Sequence, residues 1–176
     1  MRVVGAEQYG KYSFYLSQCN LIVALGFGWL NQAKLRYYSK DCYHANYKSA
    51  QIIAFLYSAI FSSIILFCLT FYQGFSNKIW ILLNITIITI GTFNYMKTYY
   101  QAILSPVKII FLTSSQSILA LFVPLVLMNI LGYTAITLMS GITLSFIFST
   151  LIIKGKIESF SLQNFINTSY RKNVEI

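Results

Sequence analysis

Between Ile109 and Ile153 the chain runs for 45 residues without a charged side chain. A helix rises ~1.5 Å per residue and a bilayer core is ~30 Å thick, so ~20 apolar residues make one crossing. The run is too long for one span and long enough for two. The natural break is the segment Asn129-Ile130-Leu131-Gly132-Tyr133, because Asn and Gly both tolerate a turn. Spans are therefore expected at 108–129 and 133–153. Pro106 is placed to start the first of them, and Pro124 should kink it by freeing the carbonyl of Ala120.

The same reasoning applied upstream gives three more spans, at 12–33, 51–72 and 79–100. Tyr12 to Ala33 is uncharged over 22 residues, and 49–77 is uncharged throughout. Charged residues make up 10% of the chain, against ~25% in soluble domains. The fold class that follows is all-α: a multi-pass transmembrane bundle of five spans over residues 1–153. A polar tail, 154–176, carries spaced apolar residues (Ile157, Phe160, Phe165, Ile166) suited to lying on the membrane surface.

The first, second, third and fifth of these spans carry lines of small and polar residues. In the first, Ser13, Ser17, Asn20, Ala24, Gly28 and Asn31 recur every three or four residues, and the same line reaches Lys34. The second has Gln51, Ala54, Ser58 and Ser62. The third has Gly91, Asn94, Thr98 and Gln101. The fifth has Thr134, Thr137, Gly141, Ser145 and Ser149. Such lines face other helices or a wet path, and small residues let backbones approach closely.

Charge sets the orientation. Lys34, Arg36, Lys40 and Lys48 form a basic first loop, Lys97 and Lys108 flank the third, and Lys154, Lys156, Arg171 and Lys172 lie in the tail. Only Arg2, Lys11 and Lys78 fall on the other side. Ten cations against three put the first and third loops and the tail in the cytoplasm. The beginning of the chain is then outside with no signal peptide, which leads us to expect a further helix before Met1 and hence a fragment of a larger protein.

Several function classes are disfavoured. No Asp or Glu lies between Asp41 and Glu158, which weighs against proton pumps and metal enzymes built on buried carboxylates. The single His44 sits in a loop, so no Ser-His-Asp arrangement is available, and no phosphate-cradling Gly-rich loop is present. Cys19, Cys42 and Cys68 form no CxxC pair and are expected as free thiols. No cofactor, metal or catalytic residue is expected, and the scattered cations do not suit nucleic acid.

The segment Val3-Val4-Gly5-Ala6-Glu7-Gln8-Tyr9-Gly10-Lys11-Tyr12-Ser13-Phe14, followed by a helix ending Leu25-Gly26-Phe27-Gly28-Trp29-Leu30-Asn31-Gln32-Ala33-Lys34-Leu35-Arg36-Tyr37-Tyr38, resembles the Wzx-type polysaccharide flippases. These belong to the multidrug, oligosaccharidyl-lipid and polysaccharide exporter superfamily. Gly5, Tyr9, Gly10 and Tyr12 match the family's turn after its first helix; Gly26, Gly28, Arg36 and Tyr37 match the end of its second. Residues 93–119 resemble the connection between its fourth and fifth helices. The resemblance implies part of the amino-terminal lobe of a MATE-like transporter, lacking the first helix and the second lobe. It also implies the bacterial cytoplasmic membrane, transport rather than enzymatic catalysis, and an undecaprenyl-pyrophosphate-linked oligosaccharide as cargo for O-antigen, capsule or exopolysaccharide synthesis. Membrane lipids, the missing lobe and the polysaccharide polymerase machinery are the implied partners.

A path for such a cargo needs cations for phosphates and amides or hydroxyls for sugars. Lys34 and Arg36 at the inner end of the first span, and Lys97 on the third, are the candidate cations. Asn94, Lys97 and Gln101 share a helix face, and Asn20, Gln32 and Gln116 are further candidate sugar contacts. Two alternatives stand beside this reading: a non-transporting assembly subunit whose polar lines only pack, and a multidrug exporter of the same superfamily.

Overall fold

A computed structural model describes residues 5–41, 45–73 and 76–152, apart from the side chains of 39–41, 45–49 and 73. His44, Cys42 and the tail lie outside the described residues. Among the described residues there are five helices: α1 (Ala6–Asp41), α2 (Ala45–Gln73), α3 (Asn77–Ala102), α4 (Pro106–Leu131) and α5 (Ala135–Ile152). Each is long and apolar enough to cross a membrane, and the chain is an all-α multi-pass bundle.

Short connections alternate the helix directions. The amino-terminal ends of α1 and α5 meet at one face, where the Ala135 backbone N–H donates to the Gln8 side-chain oxygen at 3.1 Å. The segment expected as a basic loop, Lys34 to Lys48, is instead helical through Asp41 and again from Ala45. Tyr9, Gly10 and Tyr12, which the family pattern placed at a turn, sit inside the first turns of α1. Neither stretch contains a proline, so nothing removes a helical donor and α1 extends past the bilayer.

Helix α3 is the hub. It packs on α1, α2 and α4, and it meets α5 through a 2.7 Å contact between the Thr86 and Thr143 hydroxyls and an edge-on Phe93–Phe146 pair 5.1 Å apart. In a bilayer the lipid is as apolar as the core, so close packing and hydrogen bonds must hold helices together. Shape does this at three glycines. A Cβ on Gly91 would lie 2.9 Å from the Phe27 ring, and one on Gly26 would strike the Ser62 hydroxyl. On Gly141 it would lie 2.6 Å from the Pro124 Cα. Helix α4 continues through Pro124 as a single element, and the proline ring is buried against α5.

Several of the buried hydroxyls bond within their own helices, as hydrocarbon favours, while the buried Ser58 hydroxyl has no partner among the described residues. Ser62 donates to the Ser58 carbonyl at 2.8 Å, Ser145 to Ile142 at 2.7 Å and Ser149 to Phe146 at 3.0 Å. The polar lines expected on α2, α3 and α5 turn inward in part: Ser58, Ser62, Thr98, Thr137, Ser145 and Ser149 are buried, while Gln101 and Thr134 are exposed.

Two element ends shape the surface. Helix α4 ends at Gly132, whose φ of 92° suits a residue without a Cβ. Helix α3 ends in a Schellman motif: Ser105 N–H bonds the Tyr100 carbonyl at 3.0 Å and Leu104 N–H bonds Gln101 at 3.1 Å. The left-handed position, φ 52°, is held by Leu104 where glycine is the usual choice, at a cost of ~1–2 kcal/mol.

Candidate functional site

Lys34 lies in the seam between α1 and α3 and is only 3% exposed. Its ammonium stands 3.3 Å above the centre of the Tyr95 ring and 4.9 Å from that of Tyr99. Tyr38 meets Tyr99 edge-on at 5.6 Å, and the Tyr95 hydroxyl donates to Gln51 Oε1 at 2.6 Å. One lysine and its tyrosines therefore tie α1, α2 and α3 at the lysine-rich end of the bundle.

The charge in this cluster is balanced by ring faces, whose negative quadrupole attracts a cation. Glu7 is the one carboxylate among the described side chains. It pairs with Lys11 at 2.6 Å, 27 residues from Lys34, which is ~40 Å along the helix.

The other expected residues do not join this cluster. Arg36 is exposed, and two residues beyond Lys34 means ~200° around α1. Lys97 is likewise two residues from both Tyr95 and Tyr99, so with Asn94 and Gln101 it occupies a different side of α3. There it shares a face with Tyr100, whose ring centre is 5.7 Å from the Lys108 ammonium. Gln116 is partly buried on α4, and Asn20 and Gln32 are exposed on α1. Among the described residues no hydrogen bond or ion pair links these side chains to Lys34.

Asn20 belongs to the clearest departure from the expected packing. The polar line of α1 was expected to face other helices or a wet path, and none of the other four helices covers most of it. Ser13, Ser17, Asn20 and Ala24 are exposed, and Gly28 and Asn31 are half-exposed. The seam α1 actually presents to the bundle is Cys19, Ile22, Val23, Gly26, Phe27, Leu30 and Lys34. By contrast, the exposed residues of α2 from Ile52 to Tyr72 are all aliphatic, aromatic or cysteine.

A groove of ≈ 370 Å³ lies at the opposite end of the bundle, lined by Phe67, Thr70, Phe71, Asn77, Trp80 and Ile81. None of the sequence-derived candidates borders it. Among the described residues no three His, Cys, Asp or Glu side chains are grouped to hold a metal.

Sequence reasoning missed Tyr95, Tyr99 and Gln51 as the surroundings of Lys34. The signal was present, since Tyr95 and Tyr99 are four apart and must share a face of α3. No protein family, curated protein or solved structure matches this chain.

Proposed function

We propose that this chain forms one wall of a membrane path for a lipid-linked oligosaccharide, as the Wzx-type resemblance implies, with the polar face of α1 lining the path. The observation that carries the reading is the exposure of Ser13, Ser17, Asn20 and Ala24 along a membrane-crossing helix, while the outer face of α2 is apolar. An amide such as Asn20 is costly against hydrocarbon and suited to sugar hydroxyls in water. Exposed Arg36, past the end of that face, offers a planar donor set for a diphosphate.

A chain whose polar lines only packed against partner helices would need α1 covered and dry. Cysteine labelling separates the two. In a variant lacking the native cysteines, Ala24→Cys should react with a membrane-impermeant maleimide and Leu25→Cys, on the neighbouring apolar face, should not. Equal protection of both would argue for a packing face. In cells, Asn20→Leu and Arg36→Gln should each reduce surface polysaccharide at unchanged membrane abundance; intact polysaccharide in both would defeat the transport reading.

A further inference from the structure

Lys34 is buried facing the wrong way for a lysine at a membrane edge. Helices α1 and α3 run in the same direction, with Cys19 beside Leu83 and Phe27 beside Gly91. That register sets Lys34 level with Thr98, so the Tyr95 backbone lies ~4.5 Å deeper in the bundle. The ammonium is nearer to the Tyr95 ring centre, at 3.3 Å, than to that of Tyr99, at 4.9 Å. The charge therefore points away from the lysine-rich end. Helix geometry leans the stem that way, whereas hydration draws a lysine head toward the membrane surface. In the seam the ammonium meets ring faces and, among the described residues, no carboxylate. Ring faces return less than the burial of a charge costs. The way out is short, since Tyr99 is 37% exposed and Tyr38 stands edge-on to it at 5.6 Å.

We infer that Lys34 is a two-position clasp between α1 and α3. With its ammonium on Tyr95 it draws the two helices together. With the ammonium moved about one turn toward the lysine-rich end, past Tyr99 and into water, α1 is free to part from α3 there. The 2.6 Å bond from the Tyr95 hydroxyl to Gln51 keeps the receiving ring tied to α2 while Lys34 leaves. Cys19, Ile22 and Phe27 stay packed, so the opposite end of the seam does not open. Where α1 lines a sugar path, the clasp sets how wide that path opens at the lysine-rich end. The helix spacing itself is independent of any cargo, so the clasp and the path fail separately.

The test is double electron–electron resonance on the full chain in nanodiscs, with the native cysteines replaced. Labels at Leu35→Cys and Gln101→Cys, both exposed, read the α1–α3 spacing at the lysine-rich end. Labels at Phe14→Cys and Ile81→Cys, also exposed, read it at the other end. With Lys34 present, the first pair should show a second, longer distance in at least ~5% of molecules, within the range of minor states. Lys34→Met keeps the stem without the charge and should lower that fraction at least ~fivefold. Tyr95→Leu takes away the ring that receives the ammonium and should raise it at least ~fivefold. The second pair should give one unchanged distance throughout. A single distance at the lysine-rich end with Lys34 present overturns the inference, as does an undiminished longer fraction in Lys34→Met. Loosening of both ends alike by Tyr95→Leu would also overturn it, because the ring would then support the whole bundle.

Discussion

Replacing Lys34 by methionine isolates the ammonium from its stem. Methionine keeps the length of the chain that fills the α1–α3 seam and removes the charge above Tyr95. Two terms then oppose each other. The contact at 3.3 Å from the Tyr95 centre, reinforced by Tyr99 at 4.9 Å, is worth ~2 kcal/mol for a desolvated cation. Burying an ammonium with no carboxylate beside it among the described residues costs several kcal/mol even after relaxation. On unfolding, a lysine this near the end of its span regains water. The balance favours methionine, so Lys34→Met should be ~1–3 kcal/mol more stable than the natural chain. Lys34→Ala also removes the packed stem and should fall ~2–5 kcal/mol below Lys34→Met, as large-to-small changes do. Thermal unfolding in a fixed detergent, followed by size-exclusion or tryptophan fluorescence, measures both. If methionine proves as damaging as alanine, the ring contacts outweigh the burial cost and the reasoning is wrong. With methionine folded, any loss of surface polysaccharide reports on the charge itself.

Gly141→Ala places a methyl 2.6 Å from the Pro124 Cα, so α4 and α5 must part by ~1 Å; overpacking should outweigh the gain in helix propensity and destabilise by ~1 kcal/mol. Gly28→Ala meets nothing within 4 Å and should stabilise by a similar amount in the same thermal assay. Thr86 and Thr143 each also donate to their own helix, to Leu82 and Met139 at 2.8 Å, so two hydroxyl protons serve three contacts. A Thr86→Val, Thr143→Val double-mutant cycle should show a coupling of ~0.5–1 kcal/mol, within the range for hydroxyl pairs between membrane helices; zero coupling would mean the pair is not made. Cys68 is exposed and Cys19 is fully buried beneath α3, so a bilayer-soluble thiol reagent should modify Cys68 and spare Cys19 until the bundle unfolds.

The number of the spans was legible in the sequence, because uncharged run length is a one-dimensional property that the bilayer converts directly into helices; the length of α1 was not, since its helix runs on through charged residues at both ends, from Ala6 to Asp41. The break at Gly132 was legible for the same kind of reason, since a backbone with no Cβ declares where it can turn. So were the inward lines of α2 and α5, where Ser58, Ser62, Ser145 and Ser149 recur at helical spacing and end up buried. The resemblance to polysaccharide flippases suggested a cargo, and the function proposed for the exposed face of α1 rests on that resemblance.

Which stripe of α1 turns inward was decided only by the tertiary structure. Periodicity marks Ser13, Ser17, Asn20 and Ala24 as a face, yet the face that docks is the one carrying Gly26 and Phe27. Gly26 leaves room for Ser62, and Phe27 fits the gap that Gly91 leaves on α3. Lys34 tells the same story: its charge and position near the membrane edge are in the sequence, and only the approach of α3 puts two tyrosines under it while leaving Lys97 on the other side. Spacing along one helix fixes what shares a face. What that face meets depends on the shapes of residues dozens of positions away.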